Sequence, residues 1–263
     1  MDFRPPSASV HALSQKEIDK ITLAKEDLTK AHKKRIMQSG YYYRLMMDHV
    51  HDVLKDIKRV CPVYDKDQGY EIAGFVWFQG WNDMVNRNVY PNRDKKGGYD
   101  LYSELMTAFI KDVRRDLNAP KLPFVIGVMG VNGPIEKVET RYRAVHGNFR
   151  KAMAAPASLK EFKGNVQTVQ TAPFWDIQMD ALSKKRNNYN YLVRRLKGQV
   201  KKNEITNAQM ETKIEASQHR PLTPDEAVLY KRGASNGDYH YLGCGKTMAQ
   251  IGHAFAQAMF KLQ

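Results

Sequence analysis

FVIGVMGV, residues 124–131, is the longest apolar stretch in the chain. It is far too short to cross a bilayer. An unbroken apolar run bounded by proline and glycine is instead the pattern of a strand buried on both faces, as in a parallel sheet. The spacing predicts that strand over Leu122–Val131.

The neighbouring segments supply the rest of a layered α/β fold. Upstream, residues 100–117 place Leu101, Leu105, Phe109, Ile110 and Val113 on one helical face, and Asn118-Ala119-Pro120 stops that helix. Before it, Glu71–Trp77 reads as a short buried strand ending in the polar stretch FQGWNDMVN. Downstream, residues 141–155 are helical, and Asn165–Thr171 is a strand ending at APFWD. Strand, helix, strand, helix, strand with helical connections implies parallel strands and right-handed crossovers. In such sheets the working groups gather beyond the carboxyl ends of the strands, where FQGWND and APFWD both lie.

Around this centre the sequence predicts additions. Residues 1–39 read as an extended and then helical surface excursion, with Ser14 and Glu17 forming a capping box. Ser39-Gly40 breaks it from a second amphipathic helix carrying Tyr42, Leu45, Met46, His49, Val53 and Leu54. Residues 176–232 read as a helical insertion, with a helix start at Thr223-Pro224. A closing helix is expected over Gly243–Met259, and the whole as a single domain.

Composition narrows the function classes. Apolar residues are 42% and aromatics 10%, a globular balance. The net charge of +14 raises an acidic polymer or nucleic acid as partner. The excess is spread, however, as +4, +4, +5 and +1 over residues 1–60, 61–175, 176–232 and 233–263. No nucleic-acid motif accompanies it, so no specific nucleic-acid partner is expected. Cys61 and Cys244 have no metal-type spacing and read as two buried thiols. His49 and His51 point to different faces of a helix, so no metal is expected there. No signal peptide is visible in MDFRPPSASV, and no membrane partner is expected.

Two polar stretches carry chemistry. Gly80-Trp81-Asn82-Asp83 at a strand mouth presents side-chain amides that can stabilise a developing oxyanion, or simply cap the turn. Asp238-Tyr239-His240, on the loop before the last helix, places a carboxylate near an imidazole that can act as general base. Trp175, like Trp81, is a candidate to line a sugar site, or else to close the core.

These stretches resemble the SGNH hydrolase superfamily, in particular its sialate O-acetylesterase-like carbohydrate esterases. The resemblance is carried by GFVWFQGWNDM (74–84), PFVIGVMGVNG (123–133) and SNGDYHYLGCGKTMAQIGHAFAQAM (235–259). It implies a three-layer α/β/α fold with a parallel sheet, an acetylated carbohydrate substrate, and a Ser-His-(Asp) mechanism without cofactor. His240 would be the base, Asp238 its orienting acid, and Gln79 or Asn82 the oxyanion donor. Family members are often exported.

Two departures stand out. The superfamily's acid usually lies three residues before the histidine, which here is Gly237; Asp238 is one position closer. The nucleophilic serine of the family follows the first strand. None of serines 7, 9, 14, 39, 103, 158, 183, 217 and 235 follows an apolar strand in such a turn. The expectation is therefore a C-terminal portion lacking the nucleophile segment, on the order of 60 to 100 residues. Such a chain would be inactive by that route. The alternative is a non-catalytic relative that binds acidic polysaccharide or a protein partner through basic helices.

Overall fold

The structure is a computed structural model and describes residues 3–8, 10 and 12–263. Ser9 lies outside the described residues. In chain order the elements are α1 (Gln15–Leu23), α2 (Leu28–Gln38), α3 (Tyr41–Lys55), β1 (Phe75–Trp77), α4 (Trp81–Val85), α5 (Asp100–Asp116), β2 (Phe124–Val128), α6 (Thr140–Ala154), β3 (Val166–Gln170), α7 (Ile177–Lys201), α8 (Asn207–Ala216), α9 (Pro224–Gly233) and α10 (Gly245–Phe260).

The strands form one parallel sheet in the order β1-β2-β3. Phe75 pairs with Phe124 and Val125 with Gln167, so β2 is central. All five of its residues are buried, as its unbroken apolar run demands. Side chains alternate across the sheet. Phe75, Trp77 and Phe124 point toward α5, where the Trp77 and Phe109 rings lie 4.5 Å apart and those of Phe75 and Phe124 stack at 5.0 Å. Gly127 points to the other face, where a Cβ would come within 2.6 Å of the Phe255 ring of α10. The missing side chain is what lets α10 sit close against the sheet. With α5 and α6 on one face and α10 on the other, the predicted layered α/β architecture is what the structure shows.

All three strands are shorter than the sequence predicts, β3 by one residue at each end. The segment before β1 pairs only from Phe75 onward, and among the described residues β1 has β2 as its sole strand neighbour. Val76 consequently remains 43% exposed, while its partner Val125 on the same face is fully buried. β2 stops at Val128 because the chain turns sharply, with Asn132 and Gly133 both left-handed (φ 67° and 75°).

The predicted capping box of Ser14 with Glu17 starts α1; the predicted helix start at Thr223-Pro224 opens α9, where Thr223 and Glu226 form a second capping box. Residues 176–232 fold as α7, α8 and α9, while α1 and α2 bury no residue. The N-terminal coil crosses α3 and β1. Phe3 meets Trp77 edge-on at 5.1 Å, and the Ser7 amide donates to Asp112 Oδ2 at 2.7 Å. Of the two thiols expected to be buried, Cys244 is; Cys61 is exposed, because the turns that follow α3 lie outside the core.

Candidate active site

β1 runs directly into Phe78-Gln79-Gly80 and the short helix α4, which the polar sequence there did not suggest. The helix forms because Met84 is its single buried anchor, with its carbonyl accepting the Tyr99 hydroxyl at 2.6 Å. Gly80 fits against the core: a Cβ there would come within 2.9 Å of the Phe149 ring. Tyr102 donates to the backbone carbonyl of Gln79 at 3.1 Å and so fixes the turn.

Gln79 and Asn82 line a cavity of about 810 Å³, together with Trp77, Asp83, Arg87 and Tyr102. This is the size range of small-molecule sites, and its floor is aromatic. No side chain caps α4. Among the described residues the Gln79 and Asn82 side-chain amides make no hydrogen bond, so their NH₂ groups are uncommitted donors.

The histidine loop lies beside α4. The Trp81 ring stands 6.0 Å from Tyr239, which in turn stands 4.5 Å edge-on from the His240 ring. His240 is exposed and does not line the cavity that Gln79 and Asn82 line. Trp81 is the aromatic bridge between the two halves.

A residue that the sequence did not single out anchors this loop. The Tyr241 hydroxyl accepts the Gly130 amide at 2.6 Å and lies 2.7 Å from Thr171 Oγ1. Because Thr171 gives its only proton to the Val128 carbonyl at 2.8 Å, Tyr241 donates to Thr171. One phenol thus ties the loop to the carboxyl ends of both β2 and β3. Burial raises its pKa, so it stays a neutral donor. The chain pays conformationally: Tyr241, Leu242 and Gly243 are consecutive left-handed residues at φ 53°, 59° and 58°. For the first two this costs on the order of 1–2 kcal/mol each. Burial of both side chains and amides donated to the Leu242 carbonyl by Ser235 (2.8 Å) and Asn236 (3.0 Å) offset the strain.

The other predicted residues separate. Asp238 is not brought onto His240; its Oδ1 lies 3.5 Å from the buried Ser183 Oγ of α7. Among the described residues neither ring nitrogen of His240 is hydrogen-bonded, and no serine hydroxyl reaches it. Trp175 is 5% exposed and packs edge-on against Tyr241, so it belongs to the core beneath the loop rather than to an open sugar site.

A second histidine also escaped the sequence reading. His146 of α6 is buried and its Nδ1 has no partner. Burial, and secondarily the Arg150 guanidinium, push its pKa down to about 4. Arg150 itself donates to the Val131 and Gly133 carbonyls at 2.9 Å each, clamping the turn that follows β2. Among the described residues no group of three or more His, Cys, Asp or Glu could hold a metal ion, and no helix is long and apolar enough to cross a membrane.

Comparison with known proteins addresses the first half of this site. The family model for carbohydrate esterase, sialic acid-specific acetylesterase, matches residues 14–172. Neither the curated proteins nor the solved structures give a match. The matched segment holds all three strands, Gln79, Trp81 and Asn82; it ends before Trp175, Asp238 and His240. With more than half of its residues matched, and with the parallel sheet in place, the chain belongs to the sialic acid-specific acetylesterase family of carbohydrate esterases.

Proposed function

We propose that this chain supplies the base and the oxyanion-binding amides for hydrolysis of acetyl esters on a carbohydrate. In that reaction a serine hydroxyl attacks the acetyl carbonyl while His240 takes its proton; His240 passes that proton to the departing sugar oxygen as the C–O bond breaks, then deprotonates the water that releases acetate from the acyl-serine. The NH₂ of Gln79 or Asn82 donates to the tetrahedral oxyanion. Trp81 offers a ring face to the sugar beside Tyr239. Asp238 is the proposed orienting group for His240, since a 3.5 Å contact with Ser183 is too long to hold it.

The observation that supports this reading most is the pair of uncommitted amides at the mouth of β1, inside the family-matched segment. His240 stands two aromatic rings away, on a loop fixed to β2 and β3. The test is protection of His240 from diethyl pyrocarbonate, followed by peptide mass spectrometry. A per-O-acetylated methyl glycoside should slow the modification, and its deacetylated counterpart should not. Equal rates with the two sugars would sink the assignment.

A second reading is carbohydrate binding without turnover. It is favoured by the lack, among the described residues, of any serine hydroxyl bonded to His240. On that reading the chain hydrolyses p-nitrophenyl acetate no faster than buffer while sugar protection persists. Turnover that His240→Ala abolishes would instead reveal a nucleophile within the chain.

A further inference from the structure

Residues 184–202 contain eight Lys or Arg and no Asp or Glu. All but the last belong to α7, whose inward positions Leu182, Leu192 and Leu196 are buried. The helix therefore presents a fixed outer face. On it lie Lys184, Asn187, Asn188, Tyr191, Arg194, Arg195, Gly198, Lys201 and Lys202, all exposed. At 1.5 Å per residue the stripe runs about 27 Å.

Most α7 cations near the sheet are already neutralised: Lys184 pairs with Asp180 at 2.7 Å and Lys185 with Glu226 at 2.6 Å. Farther out this stops. Among the described residues, Arg194, Arg195, Lys201 and Lys202 have no carboxylate partner. Four like charges along one helical edge repel one another, a cost that self-interaction within the fold does not relieve.

Two further features mark the stripe. Tyr191 stands 68% exposed in its middle, between the asparagines and the arginines. Gly198 lies within the unbroken helix where a Cβ would meet nothing within 4 Å, so packing does not require a glycine there. The gap leaves the backbone open between Arg195 and Lys201. The inner end of α7 leads to the histidine loop, since Ser183 meets Asp238.

We propose that this outer face of α7 is a docking track for a carboxylated polysaccharide, aligned so that the chain leads to the His240 loop. The unpaired cations supply charge complementarity. Interleaved asparagine amides, each both donor and acceptor, match sugar hydroxyls, and Tyr191 offers a ring face. The direction toward His240 rests on the esterase reading above; the binding itself does not.

The test uses the full chain and fluorescently labelled polygalacturonate at low salt. Arg194→Gln, Arg195→Gln and Lys201→Gln together should weaken binding by on the order of ten-fold or more, and should flatten its salt dependence. The same charge change on exposed α2 (Lys30→Gln, Lys33→Gln, Lys34→Gln) should weaken it less than about two-fold. Gly198→Glu removes a helix-weakening glycine and places a negative charge on the stripe, so it should weaken binding by about three-fold or more while the helix persists. Equal losses from the two triple variants would reduce the effect to net charge and overturn the track. Tighter binding of a single-stranded DNA oligonucleotide than of polygalacturonate would overturn the carbohydrate assignment, as would unchanged binding by Gly198→Glu. Polymer binding with no sugar protection of His240 would refute the esterase reading alone.

Discussion

The hydroxyl of Tyr241 and the amide of Gly130 meet at 2.6 Å across 111 residues of chain. The residue that follows His240 is thereby fixed to the end of the central strand. Tyr241→Phe removes the acceptor and leaves a buried N–H without a partner. It should cost about 1–3 kcal/mol in urea denaturation. The His240 imidazole resonances should also shift, which a purely peripheral tyrosine would not cause.

Glycines in this fold are predicted to behave oppositely according to what surrounds them. At Gly130 a Cβ would lie 2.1 Å from the Ala172 backbone nitrogen, which cannot yield as a side chain would. Gly130→Ala should cost roughly 3 kcal/mol or more by overpacking. At Gly198 the surrounding space is empty. Gly198→Ala should stabilise by roughly 0.5–1 kcal/mol through helix propensity alone. Thermal or urea transitions of the two variants on the same background check the contrast.

Arg114 joins the end of α5 to the segments entering β2 and β3. It is 7% exposed; its Nε and Nη2 donate to the Leu122 carbonyl at 3.0 and 2.8 Å, and Nη2 also reaches the Asn165 carbonyl and Oδ1 at 3.1 and 2.8 Å. Arg114→Met strands those carbonyls and should cost on the order of 2–4 kcal/mol. Arg114→Lys should recover less than half of that, because a single ammonium cannot reproduce the planar fork. Chemical denaturation of both variants decides it.

The sheet was legible because its signals are local. FVIGVMGV can be little else than a buried strand, and the amphipathic α5 repeats its apolar face over four turns. Glu71–Trp77 forms less strand than its pattern predicts because a strand needs a neighbour, and among the described residues its first four residues pair with none. The position of Gln79 and Asn82 at the mouth of β1 was readable, because a polar stretch there follows an apolar strand. Tyr241 was not: its role depends on Gly130 and Thr171, which lie 111 and 70 residues away and carry no pattern that points to it. Asp238 shows the same limit from the other side. Its sequence distance from His240 suggests a pair; in the fold its Oδ1 also meets Ser183 of α7 at 3.5 Å, a residue 55 positions away that carries no pattern pointing to it. His146 carries no signal in the sequence; its burial, at 4% exposed, arises only in the packed fold.

That burial gives His146 a measurable pH signature. Its pKa is held at about 4 in the folded protein, against an ordinary value of 6.5. The fold therefore favours the neutral ring, and between those two values the unfolded chain binds a proton that the folded chain does not. Stability is fully present above about pH 6.5 and falls as pH drops toward 4, by roughly 2–4 kcal/mol in total. Below pH 4 this contribution is exhausted. The carboxylate of Glu17, which hydrogen bonds from Ser14 hold at about 2 against an ordinary 4.5, loses its contribution between those two values, so it overlaps only the acid edge of this window. Urea denaturation between pH 4 and 7 should show the slope in the parent protein. His146→Gln, which cannot titrate, should flatten it; an unchanged slope in that variant would assign the loss to other groups.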